Sequence, residues 1–343
     1  MPICKNGHEM DLIERCPICG QPIDYYASLF ELTEFPKLQY KLNDTIIFVG
    51  IQPYKLPNSL FIGIDEKEKI EKDKIILELI SGGTWREYYD QYKEKLGKIF
   101  DLLGINNAKR KIIILDSINP LSPLVVSLIN SNAIFIIILP AENEPLMHLD
   151  TAYATVSEAM KKKEPIIPVM RTLIEKFRGF YYDFGISYGI EGFMRMITYF
   201  YENYDKLYNF FKISLKFNLK PIFPFSYIIG GTMLVFKDME SVFDLIGVQK
   251  TIDFDISNVN TLFLICISPK ELKEQIEKQY KLFVLKKFKN IIYNDMIYIE
   301  NKTIKVVNDI FNLIMFYGIS EIGTLDYLSK AHELIIKKVV QNA

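Results

Sequence analysis

The sequence predicts an α/β protein: a Rossmann-like domain built on a mostly parallel sheet, then a smaller mixed α/β domain. Three observations carry this. In the first half, residues 45–50, 59–65, 75–80, 111–116, 133–139 and 165–170 are runs of mainly Val, Ile and Leu, the composition of strands buried on both faces. Between several of them, residues 84–103, 121–130 and 145–162 carry helical patterns long enough for right-handed crossovers between parallel strands. Beyond an aromatic-dense helical region at about 184–217, further strand-like runs follow at 232–237, 261–268, 290–300 and 303–309. The last two of these read as a hairpin turned at Asn301-Lys302, and a helix near 323–340 ends the pattern.

Composition agrees with a large folded body. The 343 residues are 49% hydrophobic, with a mean hydropathy of +0.10, enough to bury a substantial core. With 41 basic against 42 acidic residues and a pI near 6.4, the body has no broad basic surface to clamp nucleic acid. No apolar run approaches the ~20 residues that span a bilayer, and the N-terminal stretch lacks a signal-like segment, so a cytoplasmic protein without a membrane span is expected.

Three of the four cysteines lie in the first twenty residues. Cys4, His8, Cys16 and Cys19 are spaced as two half-sites, Cys4-Lys-Asn-Gly-His8 and Cys16-Pro-Ile-Cys19, which matches a zinc-ribbon knuckle binding Zn2+ tetrahedrally through three thiolates and an imidazole. Four protein ligands leave no open coordination position, so such a zinc is structural. The fourth cysteine, Cys266, sits in an apolar run and reads as a buried core thiol. The expected organisation is a zinc ribbon at 1–22, a packed connector at 23–43, the Rossmann-like domain at 44–183, a central helical region at 184–217, a C-terminal α/β domain at 218–318 and a C-terminal helix at 319–343.

In a doubly wound sheet, ligands bind outside the carboxyl ends of the strands. That places Asp65-Glu66, Ser81-Gly82-Gly83-Thr84, Asp116-Ser117-Ile118-Asn119 and Glu142-Asn143-Glu144 along one edge. The weak ligand-binding candidates are Ser81, Gly82, Gly83, Thr84, Asp116 and Asn119. The Ser81–Thr84 turn has two readings, a phosphate cradle at a helix N-terminus or a tight strand-to-helix turn with a threonine cap. Carboxylates dominate the edge, with Arg86 and Lys67 the nearby cations, an environment poorly matched to polyphosphate. No catalytic residue is assigned: His148 and His332 have no nucleophile elbow beside them and read as structural. The aromatics from Phe180 to Tyr208 read as core or subunit interface. On the last helix Leu325, Leu328, Leu334, Ile335 and Val339 form an apolar face.

The order of parts resembles the tubulin/FtsZ superfamily over about residues 44–315. Ile80-Ser-Gly-Gly-Thr-Trp-Arg-Glu-Tyr-Tyr89, its helix and Lys111-Ile-Ile-Ile-Leu-Asp116 look like that family's γ-phosphate loop, the helix after it and the next strand. The resemblance implies a GTP site, yet Asp116-Ser-Ile-Asn-Pro-Leu-Ser-Pro123 stands where the family carries Gly-Gly-Gly-Thr-Gly-Thr-Gly, and the glycine loop after the first strand is missing. At the central helix Phe184 has Tyr188 where the family reads guanine with Asp or Asn. Of the carboxylates that the family offers to the next subunit's nucleotide, the register around Asn209–Ser214 keeps none, and Asn203-Tyr-Asp205-Lys-Leu-Tyr208 keeps one.

These readings lead to a non-catalytic interaction or scaffold protein, a zinc-ribbon pseudo-GTPase with protein partners and self-association. Two alternatives stand beside it. One is an enzyme or sensor binding a nucleotide or small phosphorylated ligand at the strand-end loops. The other is a nucleic-acid or ribosome-associated factor acting through the ribbon.

Overall fold

The computed structural model describes residues 3–4, 23–24, 44–51, 59–71, 73–172, 197, 199–217, 220–232, 238–247, 250–300, 310–319 and 325–342. Two short strands, β1 (Ile3–Cys4) and β2 (Ile23–Asp24), pair antiparallel with Cys4 opposite Ile23. The other residues expected to bind zinc, His8, Cys16 and Cys19, and the expected connector beyond Asp24, lie outside the described residues.

The first large sheet contains β3 (Asp44–Val49), β4 (Ser59–Asp65), β5 (Lys69–Ile70), β6 (Lys74–Glu78), β7 (Arg110–Asp116), β8 (Ala133–Leu139) and β9 (Ile166–Met170). Their order is β5-β6-β4-β3-β7-β8-β9, and only β5 runs antiparallel to its neighbour. Chain direction along the sheet reverses between β3 and β7, which makes that pair the topological switch point. The expected strands match these to within two residues at each end.

Helices α1 (Trp85–Leu102), α2 (Ser122–Leu128) and α3 (Leu146–Lys162) are the crossovers. Alternation within each strand divides the core. Ile113 and Leu115 of β7 face Tyr88, Leu96 and Phe100 of α1 and Leu124 of α2. Ile112 and Ile114 face the opposite way, toward Phe200, Tyr204 and Phe211. Those last residues belong to the central helical region, which is helical from 199 to 202, interrupted at Asn203 and resumed as α4 (Tyr204–Leu215). The expected helical segment at 184–196 lies outside the described residues.

The second sheet comprises β10 (Phe225–Thr232), β11 (Val259–Ser268), β12 (Tyr293–Glu300) and β13 (Ile310–Ile319), ordered β10-β13-β11-β12. Helices α5 (Met239–Ile246) and α6 (Lys273–Lys287) cover one face. The other face, through Phe263, Ile265, Ile314 and Phe316, shares the aromatic core around α4 with the first sheet. Phe210 stacks on Phe263 with ring centroids 4.8 Å apart, and Phe211 lies 4.4 Å from Phe223. The sheets are also joined by backbone, since the Ile166 amide donates to Pro221 O and the Phe223 amide to Ile166 O.

Three expectations need correction here. The strand placed at 232–237 is β10, which starts seven residues earlier at Phe225, and 233–237 lies outside the described residues. The strand β13 was not expected, although its ten residues form the centre of the second sheet; the run at 303–309 lies outside the described residues. β12 pairs in parallel with β11, and the hairpin turn expected at Asn301-Lys302 lies outside the described residues. Helix α7 (Asp326–Asn342) closes the chain against α3. Leu334, expected on its apolar face, is 49% exposed, while Leu328 and Ala331 are buried.

Candidate functional site

The carboxyl edge of the first sheet collects every loop singled out from the sequence. Gly50 ends β3 with φ +73°, a left-handed conformation that favours glycine. Directly across the switch point lies Asn119, whose Nδ2 would stand 2.7 Å from a Cβ added at Gly50. The Asn119 side chain thus lies over the backbone of Gly50, inside the crevice where this topology takes its ligand.

The turn after β7 satisfies itself. The Ser117 amide and hydroxyl both donate to Ile138 O, at 3.1 and 2.6 Å. The Asn119 amide donates to Asp116 O, the Leu121 amide to Asn119 Oδ1 and the Ser122 amide to Asn119 O. Pro123 in the first turn of α2 has no amide to offer. A phosphate-binding loop works by leaving amides free for the anion, and here they are consumed internally. Asp116 itself pairs with Arg171 from the end of β9. Burial pushes the Asp116 carboxyl above its ordinary range, and the guanidinium opposes that shift. Arg171 Nε is buried without a hydrogen-bond partner among the described residues.

Ser81–Thr84 forms the strand-to-helix turn at α1. Gly82 has φ +68° with open space around it. The Gly83 amide donates to Ile80 O at 2.9 Å, and a Cβ there would meet Ile80 Cβ at 2.7 Å. Glu87, three residues into the helix, accepts from both the amide and the hydroxyl of Thr84, as in one half of a capping box. Those bonds hold the Glu87 carboxyl below its usual range. A resident carboxylate therefore occupies a helix N-terminus that would otherwise attract an external anion.

Beside this turn is a cluster that the sequence did not reveal. Asp150 of α3 is 1% exposed. Its Oδ2 accepts from Trp85 Nε1 at 2.8 Å and Arg86 Nη1 at 3.1 Å, and its Oδ1 lies 2.6 Å from His332 Nδ1. His332 also stacks on Tyr153 at 4.2 Å, and the Tyr327 hydroxyl donates to Pro140 O at 2.9 Å. The C-terminal helix is thereby tied to two of the crevice loops. His148 pairs with Glu144 at 3.0 Å.

The opposite edge of the sheet carries a second polar group. Asp205, in the first turn after the break at Asn203, forms a two-bond ion pair with Arg110 at the start of β7. Tyr208 donates to Glu164 at 2.7 Å, and Lys212 lies 3.2 Å from the same carboxylate. Lys109, Lys163, Lys216 and Lys220 surround this edge, exposed and without an ion pair among the described residues. Cys266 is buried, and burial pushes its thiol up to about 12, which suits a core residue rather than a nucleophile.

No protein-family model matches the sequence, and none of the curated proteins matches it. Solved structures do match in shape. A CetZ from Methanosaeta thermophila is 11% identical with a TM-score of 0.58, covering 87% of this chain and 92% of its own. A TubZ protofilament from Bacillus thuringiensis serovar israelensis is 11% identical at 0.59, covering 92% of this chain and 97% of its own. An FtsZ dimer from M. jannaschii is 13% identical at 0.54, with 85% and 91% covered. At such identities the likeness is one of fold, and the fold of this chain, a mostly parallel sheet domain and a second mixed-sheet domain, is tubulin/FtsZ-like.

Proposed function

We propose that this chain is a non-catalytic scaffold subunit, a cytoplasmic pseudo-GTPase that assembles and recruits protein partners without a nucleotide. The observation that carries the proposal is the Asn119 side chain laid over Gly50 at the switch point. The internally bonded turn at 116–122, the Glu87 cap on Thr84 and the Asp205–Arg110 pair support it, because each commits to the protein's own structure a group that a nucleotide site would leave free.

Self-assembly belongs to the same reading. Structures similar to this one include a protofilament, a four-stranded filament and a dimer. Here exposed Asp65, Glu66 and Glu142 lie at one edge of the first sheet, and Lys109, Lys163, Lys216 and Lys220 at the other. End-to-end stacking would bring opposite charges together. The N-terminal segment completes the proposal as a zinc ribbon held by Cys4, His8, Cys16 and Cys19. The donor set fits zinc, and the β1–β2 ladder supports the reading by closing the segment that contains all four residues. Zinc bound there would supply folding energy to the segment.

The test is calorimetric titration of the zinc-loaded full chain with GTP and with ATP, each with magnesium. No saturable heat is expected. Micromolar binding would overturn the proposal in favour of a nucleotide or phosphorylated-ligand sensor, and its loss in Gly82→Asp would map the ligand to the loop before α1. Gly82 suits this test because its surroundings are open and Asp tolerates a left-handed backbone better than most residues, whereas any Cβ at Gly83 collides with Ile80.

A further inference from the structure

Helix α6 buries Ile276, Tyr280, Phe283 and Val284 against the second sheet and α5. Its opposite face combines features that a helix facing only water does not need. Lys278, Lys281, Leu282 and Leu285 are all exposed, Leu285 at 79%. Their spacing, at i, i+3, i+4 and i+7, puts them on one stripe. Past the end of the helix, after the extended Phe288, come Lys289, also exposed, and Ile292, 57% exposed.

Charge around the stripe is uneven. Lys286 and Lys287 are engaged by Glu240 and Asp244 of α5, at 2.6 and 3.3 Å, and Glu277 lies 3.8 Å from Lys273. Lys278, Lys281 and Lys289 have no ion pair among the described residues, and the carboxylates one turn before Lys278 and Lys281 are Glu274 and Glu277. Single exposed leucines are ordinary on protein surfaces; two adjacent ones flanked by unpaired lysines form a mixed apolar and cationic surface. We propose that this face of α6 docks peripherally on an anionic lipid membrane, with Leu282 and Leu285 entering the headgroup boundary and Lys278, Lys281 and Lys289 meeting the lipid phosphates and carboxylates. Nucleic acid would match the lysines and leave the leucines unused. An anionic bilayer matches both, since lysine stems lie along apolar surface while their ammonium groups reach the headgroups. The docking is at the surface, as no helix among the described residues is long and apolar enough to cross a membrane.

The experiment is co-sedimentation of the full chain with mixed phosphatidylserine–phosphatidylcholine vesicles and with pure phosphatidylcholine vesicles. Binding to the anionic vesicles alone, weakening with salt, is expected. Each lysine near such a surface contributes about fivefold in partitioning, so the triple variant Lys278→Gln, Lys281→Gln, Lys289→Gln should bind about a hundredfold more weakly. The double variant Leu282→Ser, Leu285→Ser should lose binding while keeping the parent's thermal midpoint, because both side chains are exposed. Absence of vesicle binding, or binding that survives both variants, overturns the proposal. So does a lysine-dependent shift of nucleic acid, or a leucine-dependent dimer, in protein that does not bind vesicles.

Discussion

Replacing Asp150 with Ala should detach the C-terminal helix from the crevice loops. Asp150 is 1% exposed and serves three donors on two other helices. A hydrogen bond to a charged acceptor contributes about 1.5–3 kcal/mol, and a buried donor left unpaired costs about 1–3 kcal/mol. The Arg86 head is 46% exposed, so its pair with Asp150 contributes only about 0–1 kcal/mol after solvent screening. The loss therefore rests on Trp85 Nε1 and His332 Nδ1, and sums to about 3–5 kcal/mol. In urea this lowers the midpoint by about 1 M or more. Trp85 is the only tryptophan in the chain, so its emission reports this site directly, and amide exchange across α7 reports the helix. A loss below about 1 kcal/mol, with unchanged emission and unchanged α7 protection, would refute the assignment of Asp150 as the tie.

Three further outcomes follow from single sites. Gly50→Ala should destabilise more than Gly82→Ala in matched urea curves: both incur about 1–2 kcal/mol of left-handed strain, but only Gly50 also pushes on Asn119; equal losses would dismiss the contact. In zinc-loaded protein Ellman's reagent should find no fast thiol, a chelator should release three, and Cys266 should react only on unfolding; three fast thiols before chelation would contradict the ribbon. The folded Asp116 pKa lies above its ordinary 3.8, so its protonated form stabilises fully below 3.8 and that contribution is lost as pH rises through the folded value. The stability of the parent relative to Asp116→Asn should accordingly fall across that window, and a rise there would reverse the sign of the argument.

The first domain was legible because its strands need no periodicity to be seen. All seven residues of β8 are buried and apolar, and the expected boundaries 133–139 coincide with it. β13 went unread: it contains Asn312, 4% exposed, whose side-chain amide donates to the Tyr199 hydroxyl, a partner too distant in sequence to anticipate. At the crevice, the rule about strand ends brought Ser81–Thr84, Asp116 and Asn119 to one edge. Applied once more, to the strand ending at 170, it also points to Arg171. The contact between Asn119 and Gly50 depends on how side chains pack across β3 and β7, and Asp150 reads as an ordinary helical residue until His332, 182 positions away, is placed beside it.

The two ends of the first sheet decide how assembly should respond to conditions. If a nucleotide cemented the contact between subunits, stacking would follow GTP and tolerate salt, because much of the interface would be ligand. With Asn119 lying over Gly50 at the switch point and Asp205 paired with Arg110, the charges offered for end-to-end contact are Asp65, Glu66 and Glu142 against Lys109, Lys163, Lys216 and Lys220. Exposed pairs of this kind are screened over about 10 Å at 0.1 M salt and about 3 Å at 1 M. Sedimentation velocity without nucleotide should therefore show oligomers at low salt that dissolve as salt is raised. Reversing Lys216 and Lys220 to Glu should give monomers at every salt concentration, since like charges would then face each other across the contact. Assembly that waits for GTP, or that persists unchanged in high salt, would mean that the crevice is open in solution and that the charged edges are not what joins one subunit to the next.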